Sequence, residues 1–296
     1  MQHYYRHLKR VGCYNLILLL SLWWSPPPPT YSLYTPLILK PTCPPKKGLA
    51  YAYPIEQVDT VINDLCVSGT LRKWWHTGLT IPLTYIPALC CLGEAYQHFL
   101  TYFDPNYDGL LLVANEPDQE EQGNMSPMET AQLFIGVHNY CANCQLIGPG
   151  IASDETDGVW LLSFLQHYLA LGGQLEWIVY WDSHQYISYE HAWTAYLIYG
   201  QGQCSSSICL IQWELNRRLD ILNEVLPPKP LWVSEIGACD VWDSTWIRAQ
   251  LDVLNNREDV VGYNIFISSV YKPFYQCSYR YETNGVLNSY GYGISE

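Results

Sequence analysis

Two glutamates, 119 residues apart, stand in the same local setting. Glu116 follows the run Leu111-Leu112-Val113-Ala114-Asn115 and precedes Pro117. Glu235 follows Leu231-Trp232-Val233-Ser234 and precedes Ile236-Gly237. Each is a carboxylate delivered where an apolar segment should leave the core. A pair of this kind suits cleavage of a glycosidic bond. One acid protonates the leaving oxygen, and the second carboxylate attacks the anomeric carbon or activates water. Two carboxylates held close do not both ionise easily, which keeps one of them available as an acid. Asn115 could hydrogen-bond a sugar 2-hydroxyl, and Pro117, lacking an N–H, would end the strand ladder and turn the chain outward. A single glutamate after an apolar strand is usually only the first solvated residue. The two matched contexts make the hydrolytic reading specific.

Other residue types could do chemistry. His184 and Tyr186 stand two residues apart after the sixth apolar run; a histidine there could also be a hydrogen-bonded structural residue. Trp74 and Trp75 offer aromatic planes that suit the apolar faces of pyranoses, although neighbours on a strand face opposite sides and one of them should be core. His138, Cys141 and Cys144 read as H-x-x-C-x-x-C. A structural zinc site wants a fourth ligand, and no nearby Cys or His offers one. A local disulfide or two plain thiols is the expectation, and no metal or cofactor is expected. Cys204 with Cys209, and Cys239 with Cys277, are plausible loop bridges.

The elements that must position these groups come in order. Apolar runs fall at 48–53, 71–76, 83–89, 109–114, 145–148, 175–180, 231–234 and 260–267. Several are continuous rather than alternating, as in strands buried on both faces of a parallel sheet. Helical segments lie between them. Ser126-Pro127-Met128-Glu129 is a capping box that opens a helix to about Tyr140. Residues 157–171, 213–225 and 244–255 read as further helices. Eight strands with interleaved helices over 48–296 have the size and rhythm of a (β/α)8 TIM barrel, an α/β fold. A doubly wound sheet is the runner-up, but no Gly-rich loop follows Tyr53. In a barrel, Glu116 and Glu235 would share the C-terminal rim, where active sites sit.

Composition limits the partners. Residues 1–47 carry six basic side chains and no acid, whereas the rest carry 9 basic and 28 acidic ones, a net of −19. So acidic a body repels phosphate backbones and excludes nucleic acid as a partner. A neutral carbohydrate fits better, and a monomer is expected. Arg6, Lys9 and Arg10 precede an apolar run, 11–24, that is shorter than the roughly 20 residues needed to span a bilayer. Residues 1–24 therefore read as a signal peptide, or else as a membrane tether. Residues 25–47 hold eight of the 19 prolines and read as a semi-rigid linker. The 11 cysteines agree with export to an extracellular location.

The motifs ANEPD, QGNMSP, LIGPG, a His-x-Tyr after the sixth run, and WVSEIG resemble those of the clan A glycoside hydrolases. The likeness is greatest to the compact branch with family 128 β-1,3-glucanases and the neighbouring families 39 and 5. It covers about Gly48 to the C-terminus. It implies a retaining (β/α)8 enzyme with Glu116 as acid/base, Glu235 as nucleophile and Asn115 as the 2-hydroxyl contact. His184 and Tyr186 match the positions that orient the nucleophile and line the −1 subsite. One departure stands out. The family often carries Trp near the end of strand eight, where this chain has Phe266. The implied function is an exported retaining hydrolase of a β-linked polysaccharide. The missing Trp and the 37 Tyr and Trp residues motivate the alternative, a catalytically inactive carbohydrate-binding barrel.

Overall fold

Eight parallel strands close into a barrel in strict chain order. The structure is a computed structural model, which describes residues 46–51, 70–74, 84–152, 158–200, 202, 204–238, 244–267, 282–283 and 286–287. The strands are β1 (Lys47–Tyr51), β2 (Thr70–Trp74), β3 (Thr84–Leu89) and β4 (Leu110–Val113). They continue as β5 (Gln145–Ile151), β6 (Ile178–Ile187), β7 (Leu231–Ala238) and β8 (Val260–Ile267), and β8 pairs with β1 to close the ring. Helices follow the third to the seventh strands: α1 (Glu94–Tyr102), α2 (Pro127–Tyr140), α3 (Val159–Ala170), α4 (Tyr189–Tyr199), α5 (Ser207–Val225) and α6 (Ser244–Asn256). Expectations for the signal or tether at 1–24, for most of the linker, for Trp75 and for a Cys239–Cys277 bridge lie outside the described residues. Among the described residues, no helix is long and apolar enough to cross a membrane.

The continuous apolar runs have a direct cause. Ile86, Ala88, Leu112, Ile147 and Trp232 pack together inside the barrel. Leu111, Val113, Leu146, Val233 and Ile265 pack outward against Phe134, Phe164, Leu215 and Leu219 of the helices. Neighbouring strand residues point to opposite faces, and here both faces are dry, so both must be apolar. The Trp232 indole satisfies its N–H inside the barrel by donating to Asn264 Oδ1 at 2.9 Å.

Boundaries shift where polar residues are buried. The sixth apolar run, read over 175–180, opens as a 3-10 turn at Leu175–Trp177, and the strand then continues to Ile187. Asp182, Ser183, His184 and Gln185 are all buried in it; their polarity hides the strand from a hydropathy reading. β7 likewise runs past Ser234 and Glu235 to Ala238. β1 begins at Lys47, which composition assigns to the linker. The residue is 2% exposed, and burial pulls its pKa down to about 8.

Helix ends follow local chemistry. The capping box at α2 forms in full: Ser126 Oγ accepts from Glu129 N at 3.2 Å, and Ser126 N donates to Glu129 Oε2 at 2.8 Å. These bonds hold the Glu129 carboxyl below its usual range. α5 starts six residues before the expected Trp213, because Ser206 caps it by accepting from Cys209 N. Two helices go unread in the sequence, α1 and α4. α4 buries Ala192 and Tyr196 but exposes Tyr189, Trp193, Leu197, Ile198 and Tyr199, so no single apolar stripe marks it.

Replacing Ser126 by alanine removes the Oγ half of the α2 cap and leaves the backbone bond from residue 126 to Glu129. The expected result is a loss of about 1 kcal/mol of unfolding free energy, measured by denaturant melts, with the barrel otherwise intact.

Candidate active site

β4 ends at Val113, and the chain then makes two unusual backbone turns. Ala114 and Glu116 both adopt positive φ, 66° and 42°, a region that costs an L-residue of order 1 kcal/mol. Hydrogen bonds hold them there. Ala114 N donates to Leu89 O, Asn115 N to Cys90 O, and Glu116 N to Gly150 O at 2.7 Å. The loop then folds onto itself, with Gly123 N donating to Glu116 O and Met125 N to Pro117 O. Asp118 ties it to the end of β5 by accepting from Ala152 N at 3.2 Å. The stretch Asn115–Asp118 is therefore a clamped corner, and the Glu116 side chain leaves it toward the barrel mouth.

β6 supplies the opposite wall. Tyr180 packs against the barrel interior, and Asp182, His184 and Tyr186 follow at every second position, as the pleat requires. His184, 1% exposed, places Nδ1 2.7 Å from Glu116 Oε1 and 3.5 Å from Glu235 Oε2. Its other nitrogen, Nε2, lies 3.0 Å from Ser234 Oγ. The Tyr186 hydroxyl donates to Glu235 Oε2. One carboxylate oxygen each from Glu116 and Glu235, together with a ring nitrogen of His184, lie within 4.8 Å of one another. Such donor atoms are of a type that a divalent cation also takes. The 2.7 Å separation of Nδ1 and Oε1 is a hydrogen-bond length.

Ser234 and Glu235 are neighbours on one strand, yet both side chains reach His184. A regular strand would send them to opposite faces. The pairing of β7 with β8 shifts register between Val233 and Ile236, and that of β6 with β7 between Asp182 and His184. Irregularities of this kind re-aim side chains, and here they turn two consecutive residues toward one ring.

Two buried groups went without a role in the sequence reading. Asp182 Oδ1 accepts from Ser183 N at 2.8 Å and from Ser234 N at 2.9 Å, while Oδ2 accepts from Ser234 Oγ at 2.7 Å. Their sequence signals are the two-residue spacing Asp182, His184, Tyr186 and, for Ser234, its place in WVSEIG. Gly150 makes room for Asp182 and His184: a Cβ there would sit 2.8 Å from Asp182 Oδ2 and 2.9 Å from His184 Nε2.

Residues 80–293 match the family described as glycosyl hydrolase catalytic core. The chain belongs to this family. It is a glycoside hydrolase, and its fold is shared with solved family 128 enzymes. One is an endo-β-1,3-glucanase of subgroup I from Amycolatopsis mediterranei, bound to laminaritriose. It is 19% identical with a TM-score of 0.60, and the match covers 85% of this chain and 98% of that one. Another is a subgroup II endo-β-1,3-glucanase from Sorangium cellulosum, 20% identical, with a TM-score of 0.62 and coverage of 84% and 97%. A third is a curdlan-specific exo-β-1,3-glucanase of subgroup III from Blastomyces gilchristii, in complex with glucose. Its identity is 19%, its TM-score 0.56 and its coverage 85% and 99%. No curated protein sequence matches the chain.

The remaining candidates in this hydrolase are placed as follows. Asn115 is 8% exposed and bridges to Gly150 through the backbone. Phe266, near the end of β8, meets the Tyr186 ring edge-on at 6.3 Å, so an aromatic group does stand beside Tyr186 where the strand-eight Trp is absent. Trp74 is the last residue of β2, opposite Ala88 of β3; Trp75 lies outside the described residues. His184 reaches both glutamates, at 2.7 Å to Glu116 and 3.5 Å to Glu235. Its shorter bond goes to Glu116, and Tyr186 is the group that bonds Glu235.

The metal reading of His138, Cys141 and Cys144 fails. Cys141 and Cys144 form a disulfide, and His138 stacks on Trp177 with ring centroids 3.7 Å apart. Cys204 and Cys209 are also bridged. Burial lowers the His138 pKa below 6.5, so between that value and the lowered one only the unfolded chain takes up the proton. Stability then falls as pH drops through this window.

Two outcomes are expected. Gly150→Ala forces Asp182 and His184 apart and costs about 1–3 kcal/mol of stability, read in denaturant melts, together with a fall in turnover. His138→Phe removes part of the stability lost between about pH 7 and about pH 5, read by melts at the two values; an unchanged difference would exclude His138 as its source.

Proposed function

We propose that the protein is an exported, retaining β-1,3-glucan hydrolase. The observation that carries the mechanism is the close approach of Glu116 and Glu235, with carboxylate oxygens within 4.8 Å of each other. Double displacement works with carboxyl groups about 5–5.5 Å apart, whereas inversion needs about 6.5–9.5 Å to admit a water. Glu235, bonded by Tyr186, attacks the anomeric carbon. Glu116 gives a proton to the leaving oxygen as the C–O bond breaks. Water then enters, Glu116 removes its proton, and the ester to Glu235 is released. Asn115 serves the 2-hydroxyl, and Phe266 and Tyr186 wall the sugar site. The laminari-oligosaccharide and curdlan named for the similar structures support the choice of a β-1,3-glucan.

Export is supported by two disulfides, Cys141–Cys144 and Cys204–Cys209, which persist in oxidising compartments. We read 48–296 as one (β/α)8 domain carried behind a signal or tether and a proline-rich linker.

The test is a glycan panel of laminari-oligosaccharides, curdlan, cello-oligosaccharides and chito-oligosaccharides. Wild type should cut the β-1,3-linked members and release the β-anomer first, followed by proton NMR. Glu235→Gln should abolish turnover, and Glu116→Gln should lower it by about 10²–10⁴-fold on unactivated glucans. Equal activity in wild type and Glu235→Gln would remove the assignment. An α-anomer formed first would replace retention by inversion. Binding of the same sugars without turnover would favour the inactive barrel.

A further inference from the structure

A hydroxyl group has one proton to give, and at Ser234 its destination decides the protonation of the whole site. Asp182 Oδ1 accepts two backbone N–H groups, and Oδ2 lies 2.7 Å from Ser234 Oγ. Two N–H donors on one oxygen suit an ionised carboxylate, and such a group only accepts. The Ser234 proton therefore points at Asp182. Ser234 Oγ can then only accept from His184 Nε2, 3.0 Å away, so Nε2 carries a hydrogen. The other nitrogen, Nδ1, faces Glu116 Oε1 at 2.7 Å. Two bare lone pairs would repel at that distance, so one proton must lie between them, on the ring or on the carboxyl.

We propose that Asp182 and Ser234 are positioning residues that load this proton. They fix His184 as the Nε2–H tautomer, and the Nδ1···Glu116 contact then stores the proton that the leaving oxygen receives. Its catalytic consequence rests on the hydrolase reading above. When the glycosidic C–O bond breaks, the stored proton passes from this contact to the departing oxygen, and the anomeric carbon bonds to Glu235. Glu116 is left as a carboxylate facing an unprotonated Nδ1. The incoming water then gives its proton to this contact as its oxygen takes the anomeric carbon from Glu235. All four groups are buried, with Ser234 at 0% and Asp182 at 4% exposure, so bulk water does not scramble the order.

Asp182→Asn reverses the relay. The amide oxygen stays on the two backbone N–H groups, and the amide nitrogen takes the place of Oδ2 and donates to Ser234. The serine proton must then turn to His184 Nε2, and the ring hydrogen moves to Nδ1.

The experiment is nitrogen NMR of protein labelled in its histidine rings, with wild type, Asp182→Asn and Ser234→Ala compared and His184 assigned by its loss in His184→Gln. Wild type is expected to carry hydrogen on Nε2, and Asp182→Asn to move it to Nδ1. Ser234→Ala, which conserves the fold if the asparagine variant does not, should lose the single fixed tautomer. In parallel, Asp182→Asn should lower kcat/KM by about a hundredfold on laminari-oligosaccharides. It should change only a few-fold on a dinitrophenyl β-glucoside, whose leaving group needs no acid. A bare Nε2 in wild type, or a ring unchanged in both variants, overturns the relay; so does an equal loss on both substrates. Wild type without turnover but with the expected tautomers would overturn the hydrolase reading and leave the relay standing.

Discussion

The imidazole of His184 is the point at which three strands are held in register at the barrel mouth. It bonds Glu116 from the β4 corner and Ser234 from β7, and it lies 3.5 Å from Glu235. The ring is almost fully buried, so each bond is made in a low-dielectric setting where an unmet donor or acceptor is costly. The mouth therefore has one favourable arrangement. Asp182 pins Ser234, Ser234 pins the ring, and the ring pins Glu116. Tyr186, two residues on, holds the other carboxylate. The barrel beneath contributes rigidity: its interior is filled by Ile86, Ala88, Leu112, Ile147 and Trp232, and a packed interior does not let the rim drift.

Much of this was legible in the sequence, for identifiable reasons. The strands buried on both faces read as apolar runs, since nothing polar interrupts them. The α2 boundary was plain because Ser126, Pro127 and Glu129 act within four residues of one another. Glu116 and Glu235 stood out because each breaks an apolar run at a strand end. The resemblance to family 128 rested on those same motifs, and the family match and the shared fold agree with it.

What stayed hidden depends on non-local geometry. The length of β6 was concealed by four consecutive polar residues that the mouth buries. The convergence of Ser234 and Glu235 on one ring depends on register shifts against two partner strands, and no local pattern encodes a shift. Asp182 drew no role from the sequence, because one of the backbone N–H groups that it serves belongs to Ser234, 52 residues away. The contact of His184 with Glu116 was not legible for a related reason: the two residues are 68 positions apart, and only the closed barrel brings them to 2.7 Å. Helix α4, with large apolar residues on its exposed side, lacks the periodic stripe that would have announced it.

The left-handed backbone at Ala114 and Glu116 bears on how this enzyme could be made hardier. A designer seeking heat resistance would see Ala114 as a misplaced residue and offer glycine, which accepts that conformation freely. The corner would then be relaxed in the folded state but also free to adopt many others. A carboxylate that now has a single address would acquire several, and durability gained at that hinge would be taken out of the precision with which Glu116 meets His184.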